Sequence, residues 1–264
     1  GDRITSEQII PCGECLYCRE GRYSLCDPHY VYGFKGRYNG GFAEYVRLPE
    51  NARNYAVPEE LPVEKALLIE PYACSLHAVD RAKITAEDVV VIAGAGTLGL
   101  GMIAAAARLK PRALVSIEPV GWLREKALEM GATHAMDAWR GEGVEPGIAA
   151  LSDGYGCDVY IEAAGHPSSI SQGLQLIKKG GRFVEFSVFA GPASIDWSII
   201  GDAKELDLYG VSLSPNCFPR VIEGIAYGSL KTDGVVTHLL ALDQFQRAFD
   251  IANKREGIKI ALVP

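Results

Sequence analysis

The sequence has little that would take it to nucleic acid or to a membrane. It carries 26 Lys and Arg against 33 Asp and Glu, a formal net charge of -7. The basic residues form no cluster, which argues against a polyanion or an anionic bilayer as partner. There is no internal repeat, low-complexity tract or block of like charge, so solenoid and disordered-tail architectures are set aside. The opening GDRITSEQ is charged and lacks the apolar run of a secretory leader. A cytoplasmic location is the expectation. One stretch imitates a membrane span. VVVIAGAGTLGLGMIAAAA, Val89 to Ala107, holds no charge and approaches spanning length. It begins β-branched, passes through glycines and ends in alanines, which reads as buried strand, tight turn and helix.

What is present fits a globular α/β protein. The 264 residues, 48% of them hydrophobic, suggest two domains with a sizeable core. Four of the seven cysteines cluster as C-x2-C-x2-C-x7-C: Cys12, Cys15, Cys18 and Cys26. Disulfides need an oxidising compartment, for which nothing argues. An iron–sulfur cluster is a rival, because C-x2-C-x2-C opens a ferredoxin run, but that run closes after three residues rather than seven. Structural zinc suits the spacing better, since short loops bring four soft ligands to one ion. Four thiolates leave no open coordination place, so this motif staples a loop rather than performing chemistry.

The chemistry points elsewhere. Gly94, Gly96 and Gly99 form G-x-G-x-x-G between an apolar strand and an Ala-rich helix. The first glycine permits the turn, the second lets backbone approach a diphosphate, and the third lets helix pack close to strand. Further strands are read at 113–118, 134–137, 157–165, 181–188 and 206–213, with helices at VGWLREKALEM, closed by Gly131, and at about 168–178. Six strands with helical crossovers give the order 3-2-1-4-5-6. Glu118 ends the second strand, where an acid accepts from a ribose diol and repels a 2′-phosphate, favouring NAD over NADP.

The flanking segments differ. Residues 1–78 hold short β-like runs. The tail holds a helix at about 219–230, another in DQFQRAFDIANKRE with Asp243 as N-cap, and a final strand GIKIALVP that needs a sheet to join. The expected division is 1–78, 79–213 for the nucleotide unit, and 214–264 returning to the first lobe.

A four-cysteine lobe, a Rossmann unit and the closing DGVVTHLLALDQFQRAFDIANKREGIKIALVP together resemble the zinc-dependent medium-chain alcohol dehydrogenases over essentially the whole chain. LLIEPYACSLHAV and GVSLSPNCFPRVIEGI resemble the sorbitol and polyol branch, nearest the erythritol/threitol type. The resemblance implies a doubly wound parallel Rossmann sheet inserted in a GroES-like, mainly β catalytic lobe, and a dimer or tetramer. It implies an NAD-dependent oxidoreductase taking hydride from a secondary alcohol or polyol. An amino-alcohol oxidation of the L-threonine 3-dehydrogenase kind and a catalytically incomplete NAD-binding protein are the alternatives.

Carried over by residue, Cys12, Cys15, Cys18 and Cys26 match the structural zinc ligands. Gly94, Gly96 and Gly99 match the diphosphate turn, with Thr97 and Leu98 beside the cofactor, and Glu118 matches the ribose acid. Glu70 matches the acid at a second, catalytic zinc, while Phe186, Ser187, Val188, Ser212, Leu213 and Ser214 match segments lining the nicotinamide. Three departures stand out. Leu123 stands where an arginine is usual, with Arg124 next to it. Leu213 and Ser214 stand where sorbitol enzymes carry arginine and an aromatic. The family's first catalytic-zinc ligands, a Cys and a Gly-His-Glu, lie upstream of the GDR that opens this chain, which is therefore expected to lack part of a parent protein.

Overall fold

The computed structural model describes residues 1–36, 38–138 and 141–264. The chain divides into two units. One is Ser75–Val211, and the other combines Gly1–Cys74 with Ser212–Pro264.

Ser75–Val211 is built on six parallel strands: Val89–Ala93, Ala113–Ile117, His134–Met136, Cys157–Glu162, Ile177–Glu185 and Asp207–Gly210. Their spatial order is sixth, fifth, fourth, first, second, third, the doubly wound order expected of the sequence. The first two strands are buried at every position, as strands covered on both faces must be. That is why they read as unbroken apolar runs. The core joins Val91, Val115, Tyr160 and Phe183 to Val144 and Ile148 of the helix Gly141–Leu151. The helix Gly121–Met130 closes on Gly131, whose φ of 122° only glycine adopts easily.

Several boundaries differ from expectation. The helix Pro167–Leu176 runs straight into the fifth strand, which starts at Ile177 and not at 181. Lys178–Gly181 reads as a break but stays in the strand, because the ladder shifts register between Cys157 and Val159 and so absorbs the surplus residues. The fourth strand stops at Glu162 and the sixth at Gly210. Leu213, at a φ of 53°, is out of extended geometry.

The other unit consists of short ladders. Ile4–Ser6 pairs antiparallel with Asn54–Ala56, and Ile9–Ile10 with Tyr30–Val31. The final strand, Lys259–Val263, pairs in parallel with Val236–Ala241. The tail helices are Phe218–Ala226 and Phe245–Asn253. Asp243 is not an N-cap: it sits inside a 3-10 turn, Leu242–Gln244, and Gln244 precedes the helix. No described helix is long and apolar enough to cross a membrane.

Candidate cofactor and metal sites

The glycine turn is shaped by contacts that a side chain would destroy. A Cβ on Gly99 would lie 2.1 Å from the Gly94 carbonyl oxygen, and one on Gly94 would lie 2.7 Å from the Ala163 carbonyl oxygen. Gly94 has a φ of 100° besides. These two glycines are therefore required by the fold itself. Gly96 is different. A Cβ there meets nothing within 4 Å, and its backbone is extended with φ -72°. Gly96 leaves an open cradle at the start of the helix Thr97–Ala107, and a helix N-terminus favours an anion. That is the observation that fits a diphosphate. Thr97 and Leu98 occupy the first turn of this helix, and the Leu98 carbonyl accepts from Ser75 Oγ at 2.8 Å.

Glu118 is 6% exposed. Its Oε2 accepts from the Ala95 N–H at 2.9 Å and its Oε1 from the Val120 N–H at 3.0 Å. The carboxylate thus ties the end of the second strand to the glycine turn, and each oxygen keeps a further lone pair for a ligand hydroxyl. Arg124 donates to the Glu118 and Pro119 carbonyls, both at 2.7 Å, and pairs with Asp137 at 3.2 Å. The arginine beside Leu123 therefore fixes the segment after the strand.

Phe186, Ser187 and Val188 follow the fifth strand directly. Ser187 Oγ lies 3.4 Å from the Glu162 carbonyl oxygen, and Val188 is exposed. Ser212, Leu213 and Ser214 belong to the other unit. Phe186–Val188 and Ser212–Ser214 thus fall in different units.

In that other unit, all four sulfurs of Cys12, Cys15, Cys18 and Cys26 lie within 4.8 Å of one another. No disulfide joins them. Cys12 and Cys18 sulfurs are 3.9 Å apart, close to the ~3.8 Å edge of a tetrahedron with zinc–sulfur bonds of ~2.3 Å. Backbone N–H groups of Cys15 and Cys12 donate to the sulfurs of Cys12 and Cys26, both at 3.3 Å. The Cys15 thiol is lowered to about 6 by backbone N–H groups of Asp27 and Cys18, while burial raises those of Cys18 and Cys26. Four convergent soft donors with hydrogen-bonded sulfurs fit a zinc ion.

Glu70 and Cys74 share one face of the helix Ile69–Ala82. Glu70 Oε1 accepts from Gln8 Nε2 at 2.6 Å and from the Cys74 thiol at 3.4 Å. Burial raises both groups. Among the described residues the cysteine quartet is the one group of three or more donors able to hold a metal. His77 is half-buried on the helix that carries Glu70. Gln8 escapes detection in the sequence because its partners lie some sixty positions away. So does Glu7, which is 1% exposed and accepts from Tyr23 Oη, Arg53 Nε and Tyr55 Oη at 2.9, 3.2 and 2.6 Å.

Residues 97–226 match the model of the zinc-binding dehydrogenase family, and residues 1–59 match that of the alcohol dehydrogenase GroES-like domain. An erythritol/L-threitol dehydrogenase of Mycolicibacterium smegmatis is 44% identical over 265 residues, covering 100% of this chain and 73% of its own length. The chain belongs to the zinc-binding alcohol dehydrogenases. A sorbitol dehydrogenase of Bacillus subtilis is 30% identical, with 100% of this chain and 74% of that protein covered. Among solved structures, the Escherichia coli alcohol dehydrogenase RspB, complexed with NADH, superposes with a TM-score of 0.89 at 25% identity, covering 100% of this chain and 77% of that one. This zinc-binding dehydrogenase is accordingly an oxidoreductase with the family's Rossmann and GroES-like parts.

Proposed function

We propose that the chain carries the dinucleotide-binding and zinc-stapled parts of a polyol dehydrogenase, transferring hydride from a secondary alcohol of a small polyol to NAD+. The observation that carries this is the 44% identity to an erythritol/L-threitol dehydrogenase across the whole chain.

The nicotinamide ring, when bound, supplies the hydride acceptor. The chain's residues do the rest. Gly96 leaves room for the diphosphate against the first turn of the helix Thr97–Ala107. Glu118, already holding the turn by the Ala95 N–H, presents its remaining lone pairs to a ribose diol and disfavours a 2′-phosphate. Thr97 and Leu98 flank the diphosphate, and Phe186, Ser187 and Val188 flank the nicotinamide side of the strand ends. Ser212, Leu213 and Ser214 line the nicotinamide as a second segment. Gln8 and Cys74 hold one oxygen of Glu70, the residue that matches the family's catalytic-zinc acid. Cys12, Cys15, Cys18 and Cys26 hold one zinc that closes their loop.

The test has two parts. NADH titration by fluorescence should give saturable binding below millimolar levels. The intact dehydrogenase should form NADH with erythritol or L-threitol in preference to sorbitol and L-threonine. Absence of NADH binding by folded protein overturns the reading; a preference for L-threonine overturns the substrate class alone.

A further inference from the structure

The turn Leu213–Asn216 is held in a costly shape. Leu213 has a φ of 53° and Asn216 a φ of 61°, and a leucine in the left-handed region persists only where its surroundings impose it. Between them Ser214 is 1% exposed, with an Oγ that has no hydrogen-bond partner. The surroundings that impose the turn come from the cysteine loop. Leu213 packs into one apolar cluster with Ile9, Tyr23 and Cys26 and with Cys12, Cys15 and Cys18. The Asn216 N–H donates to Tyr23 Oη at 2.7 Å.

Tyr23 lies between Cys18 and Cys26, in the short 3-10 turn Tyr23–Leu25, and its carbonyl accepts from the Cys26 N–H at 3.0 Å. Its hydroxyl is anchored from behind. It donates to Glu7 Oε1 at 2.9 Å, and the Arg53 guanidinium lies 4.1 Å over its ring. A phenol has one hydrogen to donate and lone pairs to accept, so donation to Glu7 and acceptance from Asn216 are compatible and orient each other. The loop around Tyr23 has little else to define it. The one helix it contains, Leu16–Arg19, buries none of its residues. A loop of this kind takes its shape from its metal.

We infer that Tyr23 is a positioning residue that transmits closure of the four-cysteine cluster to the turn Leu213–Asn216, so that the geometry of this turn depends on the cluster holding its ion. The inference rests on the zinc reading of the cysteines. Coupling of this kind is reciprocal: a turn that stabilises Tyr23 also tightens the binding of the ion.

The experiment compares the zinc-loaded wild-type chain, the chelator-stripped chain and Tyr23→Phe. Three quantities are read: zinc per chain, exchange of the Asn216 amide and of the 212–218 segment, and zinc affinity against a competing chelator. Stripping should speed exchange across 212–218 by about tenfold, through loss of the packing and the hydrogen bond together. The buried strands Val89–Ala93 and Cys157–Glu162 should exchange as before. Tyr23→Phe should keep one zinc per chain, yet expose the Asn216 amide about fivefold more, the weight of one hydrogen bond, and bind zinc more weakly by a similar factor. Leu213→Gly supplies a second arm, since glycine takes a φ of 53° at little cost. In that variant stripping should no longer change exchange at 214–218. Zinc uptake with unaltered exchange in both the stripped chain and Tyr23→Phe overturns this inference alone. Failure of the wild-type chain to take up any zinc overturns the zinc reading and the inference together.

Discussion

Glu162 and Glu185 are register partners on adjacent strands, and each keeps one buried carboxylate oxygen without a hydrogen-bond partner. The other Glu162 oxygen accepts from the Ala164 and Gly165 N–H groups at 2.9 and 3.0 Å and from Ser169 Oγ. Glu185 is raised by its burial first and by the Glu162 charge second. Burial therefore favours the protonated form of Glu185.

The pair gives a pH dependence of definite sign. With its folded value raised, Glu185 holds a proton in the folded chain that the unfolded chain has already lost. Stability therefore falls as pH rises from the ordinary carboxylate range through the raised value. Glu185→Gln should match wild type near pH 4 and melt higher at pH 8. Because the group is partly solvated, the gain should be no more than about 1 kcal/mol, or about 2–4 °C in thermal denaturation. Equal melting shifts at both pH values would count against a protonated Glu185 in the folded chain.

The glycine turn separates fold from binding. Gly99→Ala should cost roughly 2–4 kcal/mol, because its Cβ cannot avoid the Gly94 carbonyl. Gly96→Ala has open space and ordinary backbone geometry, so its melting temperature should stay within about 2 °C of wild type. Its NADH affinity should nevertheless drop about tenfold or more, as the methyl occupies the approach of the diphosphate. Undiminished NADH binding by Gly96→Ala would remove the diphosphate from this turn.

Glu118→Gln tests cofactor choice. The amide keeps the size but loses the charge that repels a 2′-phosphate. Parallel fluorescence titrations should show the NADPH-to-NADH affinity ratio rising by about tenfold. A constant ratio would leave Glu118 as a turn-holding residue only.

Glu7→Gln tests the anchor behind the cysteine loop. Glu7 is almost wholly buried and meets Arg53, Tyr23 and Tyr55. Neutralising it leaves a partly buried guanidinium without its partner, a loss of roughly 2–4 kcal/mol, visible as a lower denaturation midpoint. An unchanged midpoint would place the anchoring energy elsewhere.

The parallel sheet was legible in the sequence because its chemistry is local. Val89–Ala93 is continuous and β-branched since both faces are covered, and Gly94, Gly96 and Gly99 punctuate it at fixed offsets. The junction Leu176–Ile177 was not legible: the glycines at 180 and 181 signal a turn, and only the register shift opposite Cys157 keeps them in a strand. Asp243 has the composition of a cap, but the chain tightens into a 3-10 turn around it. The donors converging on Glu70 and Glu7 come from distant positions, and no spacing rule links Gln8 to Glu70 or Tyr23 to Asn216. At those places tertiary approach, not local pattern, makes the arrangement.

The parallel pair Val236–Ala241 and Lys259–Val263 has a consequence for handling the protein. Among the described residues no third strand joins it, and Leu239 and Val263 are exposed on its two strands. The edges of such a pair recruit further strands. Concentrated preparations of the isolated polypeptide should therefore scatter light progressively, and a lysine replacing Leu239 should keep them clear.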